Sequence, residues 1–354
     1  MNPFWTALAR ELTPYVPGEQ PRIANLVKLN TNESPYPPSP AALEAIRAAA
    51  ADTLRLYPDP EATELRETLA AYHNVTANQV FVGNGSDEVL AHTFAGLLKH
   101  DAPLLFPDVT YSFYPVYARL YDMRHETVPL DADMRVRIDD YRRPAGAIVI
   151  ANPNAPTGIA LPIEDVARLA DEHADIPVVI DEAYVDFGAT SALTLLEGRP
   201  NLLVVRTMSK SRALAGLRVG YAIGDPGLIE ALTRVKDSFN SYPLGRPAQV
   251  GAIASVSDDA HFRAGVAKVV EGRQAMTEGL IGLGFEVLPS SANFVFARHG
   301  VLSGAEWAKA LRARAVLVRR FAKPRIADHL RITVGTEVEI GRLLAACRAI
   351  LHNH

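Results

Sequence analysis

Between residues 80 and 223, six short apolar runs recur, at 80–82, 104–106, 147–151, 178–180, 202–205 and 219–223. Several of the intervening segments, such as 162–173, carry apolar residues at helical spacing. Runs this short and this uniformly apolar fit strands buried on both faces, and consecutive parallel strands need a helix-length crossover between them. The alternation predicts an α/β domain with a mainly parallel central sheet flanked by helices. In such a sheet ligands bind at the carboxyl ends of the strands, so the residues after each run carry the functional information.

Three runs end in unusual groups. After the first comes Gly83-Asn84-Gly85-Ser86-Asp87-Glu88. The glycines let the backbone turn and approach a ligand closely, and Ser86 and Asp87 fall at a helix start, where free amides favour a phosphate. Taken alone, the same run reads sooner as a helix cap and tight turn. The fourth run leads into Asp181-Glu182-Ala183-Tyr184. A carboxylate there can hold a heteroaromatic nitrogen protonated, which makes the ring an electron sink, and Tyr184 can reach a ring oxygen. In isolation Asp181 reads equally as a solvated acid at a strand end. The fifth run is followed by Arg206-Thr207-Met208-Ser209-Lys210, with Arg218 eight residues beyond Lys210. An arbitrary lysine is a solvated surface charge. A lysine desolvated at a strand end, beside another cation, becomes a nucleophile and base near neutral pH.

The remainder supplies the frame. Residues 1–40 are rich in proline and asparagine and read as an extended arm. Helices are expected at 41–51 and 61–72, separated by Leu56-Tyr57-Pro58-Asp59-Pro60, where two prolines forbid helix continuation. The α/β pattern breaks near 243–245. A long helix (261–283), strands (285–288 and 294–297), a helix (304–314), strands (316–318 and 330–334) and a last helix (338–351) follow. The expected division is an arm at 1–40, a large domain at 41–250 and a smaller α+β domain at 251–354. A chain of 354 residues, 48% of them hydrophobic, can bury two cores.

A formal charge of −4 without a basic face argues against nucleic acid as a partner. No uncharged run approaches the roughly 18 residues needed to span a bilayer, and the first ten residues lack a signal-peptide pattern, so no membrane partner and a cytoplasmic location are expected. The single cysteine, Cys347, lacks a metal-type cluster around it and reads as a small buried apolar residue. No metal is expected.

Taken together, Ser209-Lys210 and Leu214-Ala215-Gly216-Leu217-Arg218-x-Gly220 resemble the cofactor-lysine signature of fold-type-I aminotransferases. With Asp181-Glu182-Ala183-Tyr184, Asn154-Ala155-Pro156-Thr157-Gly158, Leu56-Tyr57-Pro58-Asp59, Lys28-Leu29-Asn30-Thr31-Asn32-Glu33-Ser34-Pro35-Tyr36 and Leu330-Arg331-Ile332-Thr333-Val334-Gly335-Thr336, the chain is most similar to the histidinol-phosphate aminotransferase family. The resemblance runs from about residue 20 to the end.

The resemblance implies pyridoxal 5'-phosphate as cofactor, bound to Lys210 as a Schiff base, with Lys210 also the proton shuttle. It implies Asp181 at the pyridine nitrogen, Tyr184 at the ring oxygen and Tyr111 stacked on the ring. Ser86, Asp87, Ser209 and Arg218 would hold the phosphate. Tyr57 would reach the cofactor phosphate of a neighbouring subunit, which makes a homodimer part of the site. Arg331 would grip the substrate's anionic group, Arg319 would be a second phosphate ligand, and Asn240 would face the substrate ring. Arg320 and Arg325 read equally as solvated charges. The family carries two asparagines before Pro-Thr-Gly, and here the second is Ala155. Either Asn154 supplies the missing ring-oxygen contact or Tyr184 acts alone; the expectation taken is Asn154.

The implied reaction is amine transfer from L-histidinol phosphate to 2-oxoglutarate, giving imidazole acetol phosphate and L-glutamate, in histidine biosynthesis. An aromatic amino-acid aminotransferase or a threonine-phosphate decarboxylase would share every cofactor residue. A regulator built on the same body would need an N-terminal DNA-binding domain, and the about 25 residues before Lys28 leave no room for a helix-turn-helix.

Overall fold

The structure, a computed structural model, describes residues 3–353. Its strands are β1 (Val27–Leu29), β2 (Val80–Asn84), β3 (Leu104–Pro107), β4 (His125–Val128), β5 (Ala147–Ala151), β6 (Val178–Asp181), β7 (Leu202–Thr207), β8 (Val219–Gly224), β9 (Glu286–Val287), β10 (Phe294–Arg298), β11 (Val316–Arg320) and β12 (Leu330–Thr333).

Seven of these form one sheet in the order β2-β8-β7-β6-β5-β3-β4. The pairs β7–β6, β6–β5, β5–β3 and β3–β4 are parallel. Strand β8 runs antiparallel to both β2 and β7. Strict alternation within each strand explains burial on both faces. Ala147, Val149, Val179, Leu203 and Val205 pack into one core, and Ile148, Ile150, Val178, Ile180, Leu202 and Val204 into the core on the other face.

Register sets the site. Ala151 pairs with Asp181, and Asp181 with Val205, so three strand ends stand side by side. The reversal of β8 is equally important. It pairs Gly220 with both Thr207 and Gly83, which brings the start of β8, and Arg218 just before it, to the carboxyl edge of its neighbours. A parallel β8 would have carried Arg218 to the opposite edge.

The second sheet has the order β1-β11-β12-β10-β9. Its antiparallel strands pack with the helices Asp259–Ile281, Gly304–Arg312 and Glu337–Leu351 around Trp307, Leu311 and Leu343. Cys347 is a fully buried member of this core, as its sequence context implied.

The arm differs from its expected character. It contains a short helix, Ala7–Glu11, capped by Thr6, and β1, whose Val27 and Leu29 are buried where β1 adds parallel to β11. The pattern does break at 243–245, and directly after it comes a helix that was not expected, Arg246–Ser257. Its sequence has little amphipathic contrast, because small residues such as Gly251 let it lie directly against Ile46 of helix Pro40–Ala49. Helix Pro226–Phe239 was legible in principle: Asp225 caps it through the Gly227 amide, and Pro226 occupies its first turn. Strand β4 carries three exposed residues of four at the sheet edge, so no apolar run marks it. Among the described residues no helix is long and apolar enough to cross a membrane.

Candidate active site

A cavity of about 220 Å³ opens at the carboxyl edge of the large sheet, bounded on its other side by the arm and the second sheet. The sheet-edge wall holds Ser86, Asp87, Tyr111, Asp181, Tyr184, Ser209, Lys210 and Arg218. The opposite wall holds Tyr15, Asn30, Thr31, Asn32, Glu33, Arg319 and Arg331.

Lys210 sits in the loop after β7, and its Nζ donates to the Thr31 carbonyl at 3.3 Å. Burial, reinforced by the positive field of Arg331 and Arg218, lowers its pKa to about 8, against the opposing pull of Glu33 and Asp87. Asp181 ends β6. It is buried and accepts hydrogen bonds from the Tyr114 hydroxyl at 2.9 Å and the Ala183 amide at 3.2 Å. Desolvation pushes its pKa up to about 6, although both donors favour the ionised form. A carboxylate whose charge is this costly is stabilised by any cation brought beside it.

Helix Gly85–Thr93 starts at the cavity, and its N-terminal residue Asn84 makes no side-chain cap. The amides of its first turn are therefore not taken by Asn84. Gly85 has φ +76°, the left-handed region, and a Cβ on Gly220 would lie 2.3 Å from the Ser86 nitrogen. Two glycines thus let this loop and β8 close on each other. Arg218 reaches Ser209 Oγ at 3.4 Å and Asp87 Oδ2 at 3.0 Å. Asp87 also accepts from the Tyr111 hydroxyl at 3.0 Å. Its carboxylate is thus engaged in orienting Arg218 and Tyr111, and a like-charged phosphate would meet the helix amide instead.

On the opposite wall, Arg331 lies 5.4 Å from the ring centres of both Phe294 and Phe321. One of its terminal nitrogens donates to the Asn30 carbonyl at 3.0 Å, while its buried Nε has no partner. Such an arginine is held in place with donor capacity to spare. Arg319 donates to the Val16 carbonyl at 2.9 Å and the Pro17 carbonyl at 3.2 Å, tying the arm to β11.

Three expected residues do not line the cavity. Asn154 is buried behind it, where its Oδ1 accepts from Thr110 Oγ1 and its Nδ2 donates to the Val109 carbonyl and Thr157 Oγ1. Ala155 lines the cavity instead. The expected Asn154 contact is therefore corrected: its amide is spent holding the turn. Asn240 also falls outside, its Oδ1 accepting from the Tyr242 amide. Tyr57 is 79% exposed and stacks on Tyr242, with ring centres 4.7 Å apart. Of the two open arginines, Arg325 clamps Asp108 and the carbonyls of Leu130 and Asp131. Arg320 lies beyond the cavity and donates to the Ala327 carbonyl.

Two functional candidates had no role assigned from sequence. Asn32 Nδ2 donates to the Tyr184 hydroxyl at 2.9 Å, and Asn32 is itself fixed by Thr333 and Asn293. Its φ of 57° is a conformation that asparagine tolerates well, so an asparagine in a run without periodicity was the available signal. Tyr15, from the arm, stacks on Phe113 at 4.8 Å. Nothing in its proline-rich surroundings marks it.

Comparison with known proteins gives one answer at three levels. The model of the family "aminotransferase class I and II" matches residues 24–347. Histidinol-phosphate aminotransferase 1 of Bradyrhizobium diazoefficiens is 64% identical over 99% of this chain and 100% of its own length. Histidinol-phosphate aminotransferase 2 of Rhizobium meliloti is 62% identical over the same shares. Among solved structures, the histidinol-phosphate aminotransferase of Sinorhizobium meliloti, determined with pyridoxal-5'-phosphate, superposes with a TM-score of 0.88 at 27% identity, covering 99% of this chain and 98% of that one. Strand-end lysine, buried carboxylate and whole-chain similarity converge: the chain belongs to the aminotransferase class I and II family, in the group of the histidinol-phosphate aminotransferases.

Proposed function

We propose that this protein is a pyridoxal-phosphate-dependent transaminase that moves the amine of L-histidinol phosphate to 2-oxoglutarate. The observation that carries the reading is the placement of Lys210 and Asp181 on one wall of a single cavity, with Arg331 facing them from the other. The residues fit the cofactor. Asp181 is a buried carboxylate short of a cation, and the uncapped helix start at Gly85, with Ser209 and Arg218 beside it, is a phosphate cradle, drawn together because Gly220 lets β8 approach the Ser86 amide.

When bound, pyridoxal phosphate supplies an aldehyde for covalent attachment and a protonated ring that withdraws electrons from the substrate carbon. The protein does the rest. Lys210, with its pKa near 8, is a free amine often enough at neutral pH to attack and to carry a proton at Nζ. Asp181 would hold the ring nitrogen protonated, and Tyr114 fixes the carboxylate's orientation. Tyr184, held by Asn32, would donate to the ring oxygen, so no second asparagine would be needed at Ala155. Tyr111, oriented by Asp87, would cover the ring. Arg331, with Arg319 beside it across Phe321, binds the anionic end of each substrate in turn.

We further propose that the chain works as a homodimer in the cytoplasm, with Tyr57 and Asn240 serving the neighbouring subunit's cavity. Their position outside their own cavity supports this, as does the aromatic surface formed by Tyr57 and Tyr242. The arm at 1–40, the large domain at 41–250 and the small domain at 251–354 are the proposed units. A paired assay tests the reaction. Transamination gives keto product and glutamate in equal amounts with no gas, whereas a phosphate-recognising decarboxylase would release carbon dioxide from threonine phosphate.

A further inference from the structure

Outside the cavity mouth lies a groove of about 430 Å³, between the arm, helix Tyr114–Leu120 and the chain following β11. It is continuous with the inner cavity, because Tyr15 and Arg319 line both. Its electrostatics differ from those inside. The inner cavity mixes Glu33, Asp87 and Asp181 with Lys210, Arg218, Arg319 and Arg331. The groove is lined by Arg119, Arg319, Arg320 and Lys323, with no aspartate or glutamate. None of these four cations forms an ion pair among the described residues, although 18 such pairs occur elsewhere in the fold. Arg319 and Arg320 are anchored by carbonyl oxygens, which fixes them without neutralising them. Arg119 and Lys323 are exposed. Acidic side chains outnumber basic ones in this chain, 40 to 36. Four uncompensated cations around the mouth of one cavity run against that average.

We propose that this groove is an outer anion-binding vestibule, which gathers phosphate- and dicarboxylate-bearing substrates before they pass Tyr15 and Arg319 into the cavity. The proposal rests on the reading that the substrates are anionic. A concave, single-sign surface focuses the field and raises the local concentration of oppositely charged ligands. Its pull on exposed charges is screened by salt, whereas contacts inside the cavity are screened far less. The groove thus has a signature that no inner residue shares.

The test compares the wild-type holoenzyme with the Arg119→Ala/Lys323→Ala double variant, neither position lining the inner cavity. At low ionic strength kcat/KM for histidinol phosphate should fall about fivefold, with kcat changed less than twofold. The rate of glutamate–2-oxoglutarate exchange at subsaturating oxo acid should fall similarly. Histidinol, which lacks the phosphate, should keep its kcat/KM, and at about 1 M salt the differences should vanish. The single variant Arg119→Glu should fall further than Arg119→Ala. An unchanged kcat/KM for both anions at low salt, or an equal loss for histidinol, would overturn the vestibule. Rejection of histidinol phosphate by the wild-type enzyme would instead remove the substrate reading, and the exchange reaction alone would then decide the vestibule.

Discussion

The two walls of the cavity are built on opposite plans. The sheet-edge wall draws its residues from the ends of neighbouring strands, aligned by the pairing of Ala151 with Asp181 and Asp181 with Val205. Its side chains lock one another: Arg218 to Asp87, Asp87 to Tyr111, Tyr114 to Asp181. The opposite wall joins pieces about 300 residues apart, Asn32 to Thr333 and Arg331 to Asn30. One wall is a rigid consequence of the sheet. The other exists only while the arm lies against the second sheet. A fixed wall suits a resident cofactor, and an assembled wall suits substrates that arrive and leave.

Substitutions can break this division, beginning with the largest effect. Lys210→Ala should lower kcat roughly 10⁴-fold or more, because nucleophile and proton carrier are lost together, and should abolish covalent cofactor retention by mass spectrometry. Asp181→Asn should cost about 10²- to 10³-fold in kcat while KM for the amine changes little. Arg331→Gln should act on the other parameter, lowering kcat/KM for the anionic substrate about 10²-fold, as expected when one partner of a buried charge contact is removed. If Asp181→Asn altered KM and Arg331→Gln altered only kcat, the assignment of the walls would be reversed.

The walls also communicate through charge, and pH reads that coupling. In the cofactor-free protein, acylation of Lys210 should rise through a midpoint near pH 8, well below an ordinary lysine's. The sign follows from burial and Arg331, which both disfavour the protonated amine. Removing the Arg331 cation should therefore move the midpoint upward. Peptide mapping after pulse acylation measures it, and a midpoint near 10.5 in both proteins would contradict the coupling. The smallest effect is expected at the seam. Asn32→Ala removes the hydrogen bond to Tyr184, worth about 1 kcal/mol, and should lower kcat severalfold with a modest loss in melting temperature.

What the sequence disclosed follows the same division. Lys210 and Asp181 drew attention because each follows an apolar run; alone, Asp181 read equally as a solvated strand-end acid, and the run of residues from Ser209 to Gly220 decided between the readings. Arg218 was found by its motif, but its usefulness depends on the reversal of β8, which an apolar run cannot encode. Asn154 misled because the motif fixes a position in the chain and says nothing about where an amide spends its hydrogen bonds. On the assembled wall, Arg331 was legible only through resemblance. Asn32 and Tyr15 were passed over because their partners lie far away in sequence, and no local period marks a residue whose neighbours arrive by tertiary packing.

The central claim, a transaminase whose assembled wall selects an anionic amine, is tested most directly by single-turnover titration of the holoenzyme. Histidinol phosphate, histidinol, phenylalanine and tyrosine are mixed with it separately, and loss of the bound cofactor's absorbance is followed for each. The account requires histidinol phosphate to be the fastest of the four, and to exceed histidinol by at least about 10²-fold, the cost of leaving Arg331 without its anion. Faster conversion by phenylalanine or tyrosine than by histidinol phosphate would contradict it.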